Sequence, residues 1–343
     1  MNHKFFKKIF RALIALTLLV VGTLAVAYNS FYGSAAESSS SIFVDNSTTY
    51  HSLAEKCKQT VPSPLKQWAF DIYAAHLNLS ERLKSGHYTI KEDMSIVEMV
   101  RMFVLGEQTP VKLVIGEART LPQLAGKISK QIMADSAAII SVMYDKAERE
   151  AVGYKRDSLI AMFIPNTYQV YWNITPHQLL ARMKRESDTF WSSREQGLKN
   201  CNMTQYQAMT LASIVYEETK NKGEMPKIAG VYINRLRKRM PLQACPTVKY
   251  AMGDFSLTRI LHKHLKYDSP FNTYRNAGLP PAPICIPSIS AIDAVLGYQK
   301  SDYLYFCARP EFDGTHNFAK TLKEHNANSK RYNEALKRLK QKK

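Results

Sequence analysis

The 343-residue sequence contains no C-x-x-C pair, no H-E-x-x-H, no G-x-x-x-x-G-K-[ST] and no G-x-S-x-G. These absences exclude the usual zinc patterns, a phosphate-cradling P-loop and the common serine-hydrolase elbow. His262 and His264 stand two apart, and residues at that spacing on a helix do not face each other, so they read as surface rather than as metal ligands. The cysteines, Cys57, Cys201, Cys245, Cys285 and Cys307, are odd in number and too few for a disulfide scaffold. Acid is the scarcer charge: 29 Asp and Glu against 47 Lys and Arg leave a formal charge of +18. Such an excess points to an acidic partner: nucleic acid, an anionic membrane surface or an acidic envelope polymer. The basic residues are spread along the chain without an RRM, zinc-finger or arginine-rich signature, which ranks nucleic acid last. At 45% apolar residues the composition excludes wholesale disorder, and the length suits two or three folding units.

What is present begins with a basic tail, residues 1–11 (Lys4, Lys7, Lys8, Arg11), followed by a charge-free run, residues 12–28. A charge-free run of seventeen residues sits at the lower limit for crossing a bilayer. Positive charge before the run and a Ser-rich stretch after it put the N-terminus in the cytoplasm and the remainder outside. The rival reading is a cleaved signal peptide, because Ala25-Val26-Ala27 fits an A-x-A site. An anchor is favoured, since the run outlasts the usual apolar core of a signal peptide. Both readings export everything after residue 30.

After a linker, residues 29–41, the pattern predicts a mixed α+β protein. Residues 42–116 read as short helices and strands, with HYTI and PVKLVI as strands. A capping box at Ser95 and Glu98 opens an amphipathic helix that Gly106 closes. Residues 117–200 are mostly helical, with starts at Thr120 and at TPHQ. Between these helices MFIPNTYQVYW (162–172) is aromatic; its rings suit either stacking on sugar faces or the core. Residues 201–343 carry the densest signals. Prolines between 280 and 283 force FNTYRNAGLPPAPICIP to be an extended loop, and YLYFCA reads as a buried strand.

In LASIVYEETK, a helix opened by a Thr204–Gln207 capping box, positions 211, 214, 215 and 218 share one face. Glu218 therefore extends an apolar stripe, while Glu217 is rotated off it by about 100° and points to solvent. A carboxylic acid on an apolar face has its ionised form disfavoured, which suits a general acid. Periodicity alone favours the plainer alternative, that the stripe has ended and both acids are exposed. Gln243, Asn272, Tyr274 and His316 offer hydrogen bonds suited to sugars. Cys245 or Cys285 with His316 lacks any recognisable nucleophile context.

The succession LASIVYEET, VYINRLRKRMPLQACPTVKYAMG, SPFNTYRNAGLPPAPI, YLYFCA and GTHNFAKTLKEHN resembles the MltG/YceG-like endolytic murein transglycosylases in order and spacing. The likeness extends upstream through FIPNTY and through SGHYTIKEDMSIVEMVRMFVLGEQTPVKLVIGE, and so covers nearly the whole chain. It implies that 42–116 is a LysM-like, glycan-binding module, that 117–200 is the mostly helical part of the catalytic region, and that 201–343 is the catalytic core. The family pattern I-V-E-K-E-T falls on IVYEET, which gives the catalytic acid to Glu218. Tyr216 stands where the family has its first Glu, Glu217 where it has Lys, Cys245 for an Asp and Ala282 for a Gly.

The resemblance implies a membrane-anchored enzyme that cuts peptidoglycan between MurNAc and GlcNAc and leaves 1,6-anhydro ends, without metal or other cofactor. It makes Gln243, Asn272, Tyr274 and His316 the sugar-positioning set, suggests a Cys245–Cys285 disulfide, and implies peptidoglycan synthases as partners and the outer face of the cytoplasmic membrane as location. A non-catalytic glycan-binding scaffold and a hydrolase are the competing readings.

Overall fold

The structure, a computed structural model, describes residues 3–257 and 259–341. The first two positions of the basic tail and the last two of the basic C-terminal run lie outside the described residues, as does Thr258. The chain divides into two compact units: Met1–Lys112 with Gln131–Met133 and Gln169–Ile174, and Leu113–Lys130, Ala134–Tyr168 and Thr175–Lys343. The fold is mixed α+β.

The first unit opens with helix α1 (His3–Tyr32), whose stretch Phe5–Tyr32 is long and apolar enough to cross a membrane. At 1.5 Å per residue its 30 residues span about 45 Å. It runs past the charge-free segment at both ends, so the expected linker starts as helix. The rest of that linker is built into the unit: Ala35 and Ala36 are buried and both donate to the carbonyl of Met94. Strand β1 (Ser40–Val44) pairs antiparallel with β2 (Gly86–Ile90), placing Ile42 opposite Tyr88. Helices α2 (Tyr50–Lys58), α3 (Pro64–His76), α4 (Leu79–Arg82) and α5 (Ile96–Leu105) enclose a core with Leu53, Phe70, Tyr88 and Phe103. The capping box at Ser95 and Glu98 is formed, and Gly106 ends α5 with φ +77°, a conformation few other residues adopt cheaply.

From strand β3 (Val111–Ile115) the chain enters the second unit. Helix α6 (Leu121–Ile128), capped by Thr120, is followed by α7 (Ser136–Tyr144) and α8 (Lys146–Ala151). The aromatic stretch begins at the end of a short 3-10 turn, Leu159–Met162, and forms strand β4 (Asn166–Val170). Its Phe163 and Tyr168 are core residues, whereas Tyr171 is exposed. Helices α9 (Pro176–Ser192) and α10 (Glu195–Cys201) precede α11 (Gln205–Glu218), which is buried continuously from Ala208 to Val215.

That burial makes α11 the axis of the unit. It packs against α12 (Met225–Arg237), α13 (Cys245–Met252) and α15 (Ile289–Leu296). Removing Leu211 or Ile214 from water stabilises the fold by about 1.5–3 kcal/mol each. Gly230 lets α12 approach the following chain: a Cβ there would meet the carbonyl oxygen of Gln299 at 2.4 Å. Helix α14 (His262–Leu265) interrupts a long loop. Strand β5 (Tyr305–Ala308) pairs antiparallel with β6 (His316–Ala319), and α16 (Leu322–Gln341) follows. Strand β5 is half-buried, not the buried strand its apolar sequence predicts, because it belongs to a two-stranded ribbon.

Candidate active site

The site gathers where α11 ends. The Thr204–Gln207 capping box starts the helix in the correct phase, and Thr219 stops it by turning extended (φ −148°, ψ 145°). Glu218, the last helical residue, is left partly covered with its Oε1 accepting a hydrogen bond from the Tyr232 hydroxyl at 2.9 Å. Burial pushes its pKa up to about 6 against the pull of Tyr232, of His316 and of Arg235; Glu217 adds to the rise. A carboxyl so poised holds a proton near neutrality without losing the ability to give it up.

Glu217, which helical phase sends to solvent, is instead only 14% exposed. Arg119, from the loop before α6, donates to Glu217 Oε2 at 3.0 Å and also lies 3.4 Å from Glu117. Tyr216 takes part in the same cluster, with its hydroxyl 3.4 Å from Glu117 Oε2 and Lys220 over its ring. The acid next to Glu218 is therefore neutralised by an ion pair.

One further acid, Glu224, and two basic side chains, His316 and Arg235, close the site. Glu224, in the turn between α11 and α12, accepts from the backbone N–H of His316 at 2.9 Å, and its other oxygen is 2.9 Å from His316 Nδ1. Both side chains are largely buried. With Nδ1 committed to Glu224, Nε2 is the nitrogen of His316 available to the site. Arg235, 8% exposed, donates to the carbonyls of Leu304, Pro241 and Leu242 and to Gln243 Oε1. One guanidinium thus ties α12 to the residue just before β5 and to the loop before α13.

Gln243 is exposed in that loop and adopts φ +52°, a left-handed conformation that costs a non-glycine residue about 1–3 kcal/mol. The strain is held by its N–H donating to Thr273 O and by Arg235. Tyr274 places its hydroxyl 3.2 Å from Cys245 Sγ, and its ring system lies within electrostatic range of Glu218. Asn272 does not face the site. It is fully buried, donates to Leu265 O and Tyr267 O, and accepts from the Tyr274 N–H at 3.0 Å, so every polar group of its side chain is spent on the loop that carries Tyr274.

The structure does not join Cys245 to Cys285. All five cysteines are free thiols. Cys285 is fully buried against the carbonyl of Ser213 inside α11, whereas Cys245 is exposed beside Tyr274. The two thiols attend to different partners.

Of the expected residues, the structure brings Glu218, Gln243, Tyr274 and His316 around the end of α11 and uses Asn272 behind it. It adds Tyr232, Arg235, Glu224 and Arg119. The only sequence signal for the first two was their i, i+3 spacing on one helix face; nothing in the sequence pairs Glu224 with His316 or Arg119 with Glu217.

Glu218, partly covered at the end of α11, bonded to Tyr232 and near Arg235 and the Glu224–His316 pair, is the candidate acid of the site. The model of the YceG-like family matches residues 42–331, and the chain belongs to that family. An endolytic murein transglycosylase of Bacillus subtilis is 29% identical over 280 residues, covering 77% of each chain. One of Streptococcus pneumoniae D39 is 29% identical over 289 residues, but the match takes in 76% of this chain and about half, 52%, of the pneumococcal protein. A crystal structure of a YceG-like protein from Listeria monocytogenes superposes with a TM-score of 0.56 at 27% identity, covering 85% of this chain and 99% of that one.

Proposed function

We propose that this chain is a membrane-anchored endolytic murein transglycosylase with Glu218 as its catalytic acid. One observation carries the reading: Glu218 is held protonatable by burial, while both acids nearest it in sequence, Glu217 and Glu224, are neutralised by Arg119 and paired with His316. A glycosidase that activates water or forms a covalent intermediate needs a second free carboxylate. An intramolecular reaction does not. Glu218 gives its proton to the oxygen linking MurNAc C1 to GlcNAc. The C1–O bond breaks and the GlcNAc hydroxyl leaves; the Glu218 carboxylate that remains then accepts the proton of the MurNAc C6 hydroxyl as that oxygen closes on C1, leaving a 1,6-anhydro end.

The remaining groups have supporting parts. Tyr232 orients Glu218 and steadies its anion. Gln243, Tyr274 and His316 hold the sugar and meet the positive charge that develops at C1, and Asn272 sets the backbone of Tyr274. Helix α1 anchors the chain with its N-terminus in the cytoplasm and both units outside, in reach of nascent glycan and of the peptidoglycan synthases. Residues 42–116 form the LysM-like glycan-binding module; a groove of about 820 Å³ lined by Lys91, Glu98, Arg101 and Gln108 supports that role. Residues 117–200 and 201–343 supply the helical and core parts of the catalytic region. The test is product mass. Purified glycan treated with the wild type should yield fragments one water lighter than hydrolysis products, and Glu218→Gln should yield none; unchanged release by that variant would refute the assignment.

A further inference from the structure

We propose that the exposed face of α3 lies in the outer interface of the membrane spanned by α1, with Trp68 seated among the lipid chains. The proposal rests on the anchor reading above. Helix α3 has two apolar faces. Ala69, Phe70 and Ala74 are turned into the core of the first unit, each 1% exposed or less. On the other side Pro64, Leu65, Trp68, Ile72 and Ala75 fall within an arc of about 100°, at 100° per residue. Leu65 is 45%, Trp68 58% and Ile72 41% exposed. No charged residue falls inside this arc. Asp71, at its edge, is engaged by Lys58 and by the Tyr50 hydroxyl.

A helix face of this kind in water is a liability, and it normally marks a binding surface. Its neighbour identifies the occupant. Leu65 and Trp68 share an apolar groove of about 520 Å³ with Leu19, Gly22, Val26 and Phe31 of α1. Leu19, Gly22 and Val26 belong to the charge-free run that must occupy hydrocarbon if α1 crosses the bilayer. The α1 wall of the groove runs from Leu18, midway along that run, to Phe31 beyond its outer end, so Leu65 and Trp68 line a groove that begins in hydrocarbon and opens at the outer boundary. Lipid chains fill such a groove without any further partner, since one wall is already a membrane helix. Tryptophan favours this boundary, where its ring is buried and its N–H stays near the headgroups. The first unit would thus be held down on the membrane at two places, by α1 through it and by α3 upon it.

The full chain in vesicles of phosphatidylethanolamine and phosphatidylglycerol with brominated acyl chains provides the test. Its tryptophans are Trp68, Trp172 and Trp191, so α1 contributes no signal of its own. Flotation with the vesicles first establishes anchoring; a chain that stays in the aqueous layer overturns the anchor reading and this proposal together. In the floated protein, bromines near the headgroup end of the chain should quench part of the fluorescence, and Trp68→Phe should remove that quenched part. Floated protein whose quenching is the same with and without Trp68→Phe overturns the proposal while leaving the anchor intact. A blue-shifted Trp68 signal that bromine does not quench overturns it equally, by showing that protein, a second copy or another membrane helix, covers the stripe.

Discussion

The Tyr232 hydroxyl donates to Glu218 Oε1 across the pairing of α11 with α12, at 2.9 Å. Tyr232 is 2% exposed, so this bond is made out of reach of bulk water. It stabilises the carboxylate form and opposes the burial that pushes Glu218 up to about 6. The balance between those two influences sets the pH range in which the acid works.

Tyr232→Phe removes the opposing influence. The pKa of Glu218 should rise further, and the descending limb of the pH dependence of kcat/KM should move to higher pH. Stability should fall by about 1 kcal/mol. Both are read from a pH–rate series and a denaturant titration of the variant.

Glu218→Gln should abolish cutting while making the protein more stable at neutral pH. Glu218 has a folded-state pKa raised from 4.5 to about 6, so its contribution to stability is fully present below about pH 4.5 and is lost as pH rises through 6. The glutamine carries no such penalty. The variant should gain up to about 2 kcal/mol above pH 7, and the gain should vanish below about pH 4.5. Melting curves of both proteins across that range decide it; a constant difference would show that Glu218 does not titrate as the site requires.

Glu224→Gln breaks a charge-assisted contact to the His316 ring. A loss of about 1.5–3 kcal/mol of positioning corresponds to roughly a 10- to 150-fold fall in kcat/KM. The fold should survive, because the glutamine carbonyl still accepts from the His316 backbone N–H. Circular dichroism with single-turnover kinetics separates the two effects.

Cys245 and Cys285 should both be recovered unbridged when the native protein is alkylated without reductant, and Cys245, the exposed one, should react first. Peptide mass mapping reads this directly, and a Cys245–Cys285 linked peptide would contradict it.

Elements with local signatures were legible in the sequence: the capping boxes at Ser95 and Thr204, the glycine stop at Gly106, the proline-enforced loop after Phe271. Helical phase, a local property, also put Glu218 on the covered side of α11, without deciding between a covered and an exposed helix end. Glu217 was misjudged by the same phase argument. Its cover, Arg119, comes from 98 positions upstream, and no periodicity within α11 reports it. Asn272 was legible as polar and oddly placed, but whether a buried amide faces a ligand or its own loop depends on which carbonyls surround it. Tyr232 and Arg235 looked like ordinary members of an amphipathic helix, since their function lies in the backbone and carboxylate they meet after folding.

The Glu224–His316 contact spans 92 positions, and Arg235 reaches forward to Leu304. A chain synthesised from its N-terminus therefore carries Glu218 well before the strand that completes the site. Until β6 is made, the carboxylate of Glu224 has no His316 to hold, and a chain truncated before residue 316 would carry Glu218 in an incomplete site and should not cut.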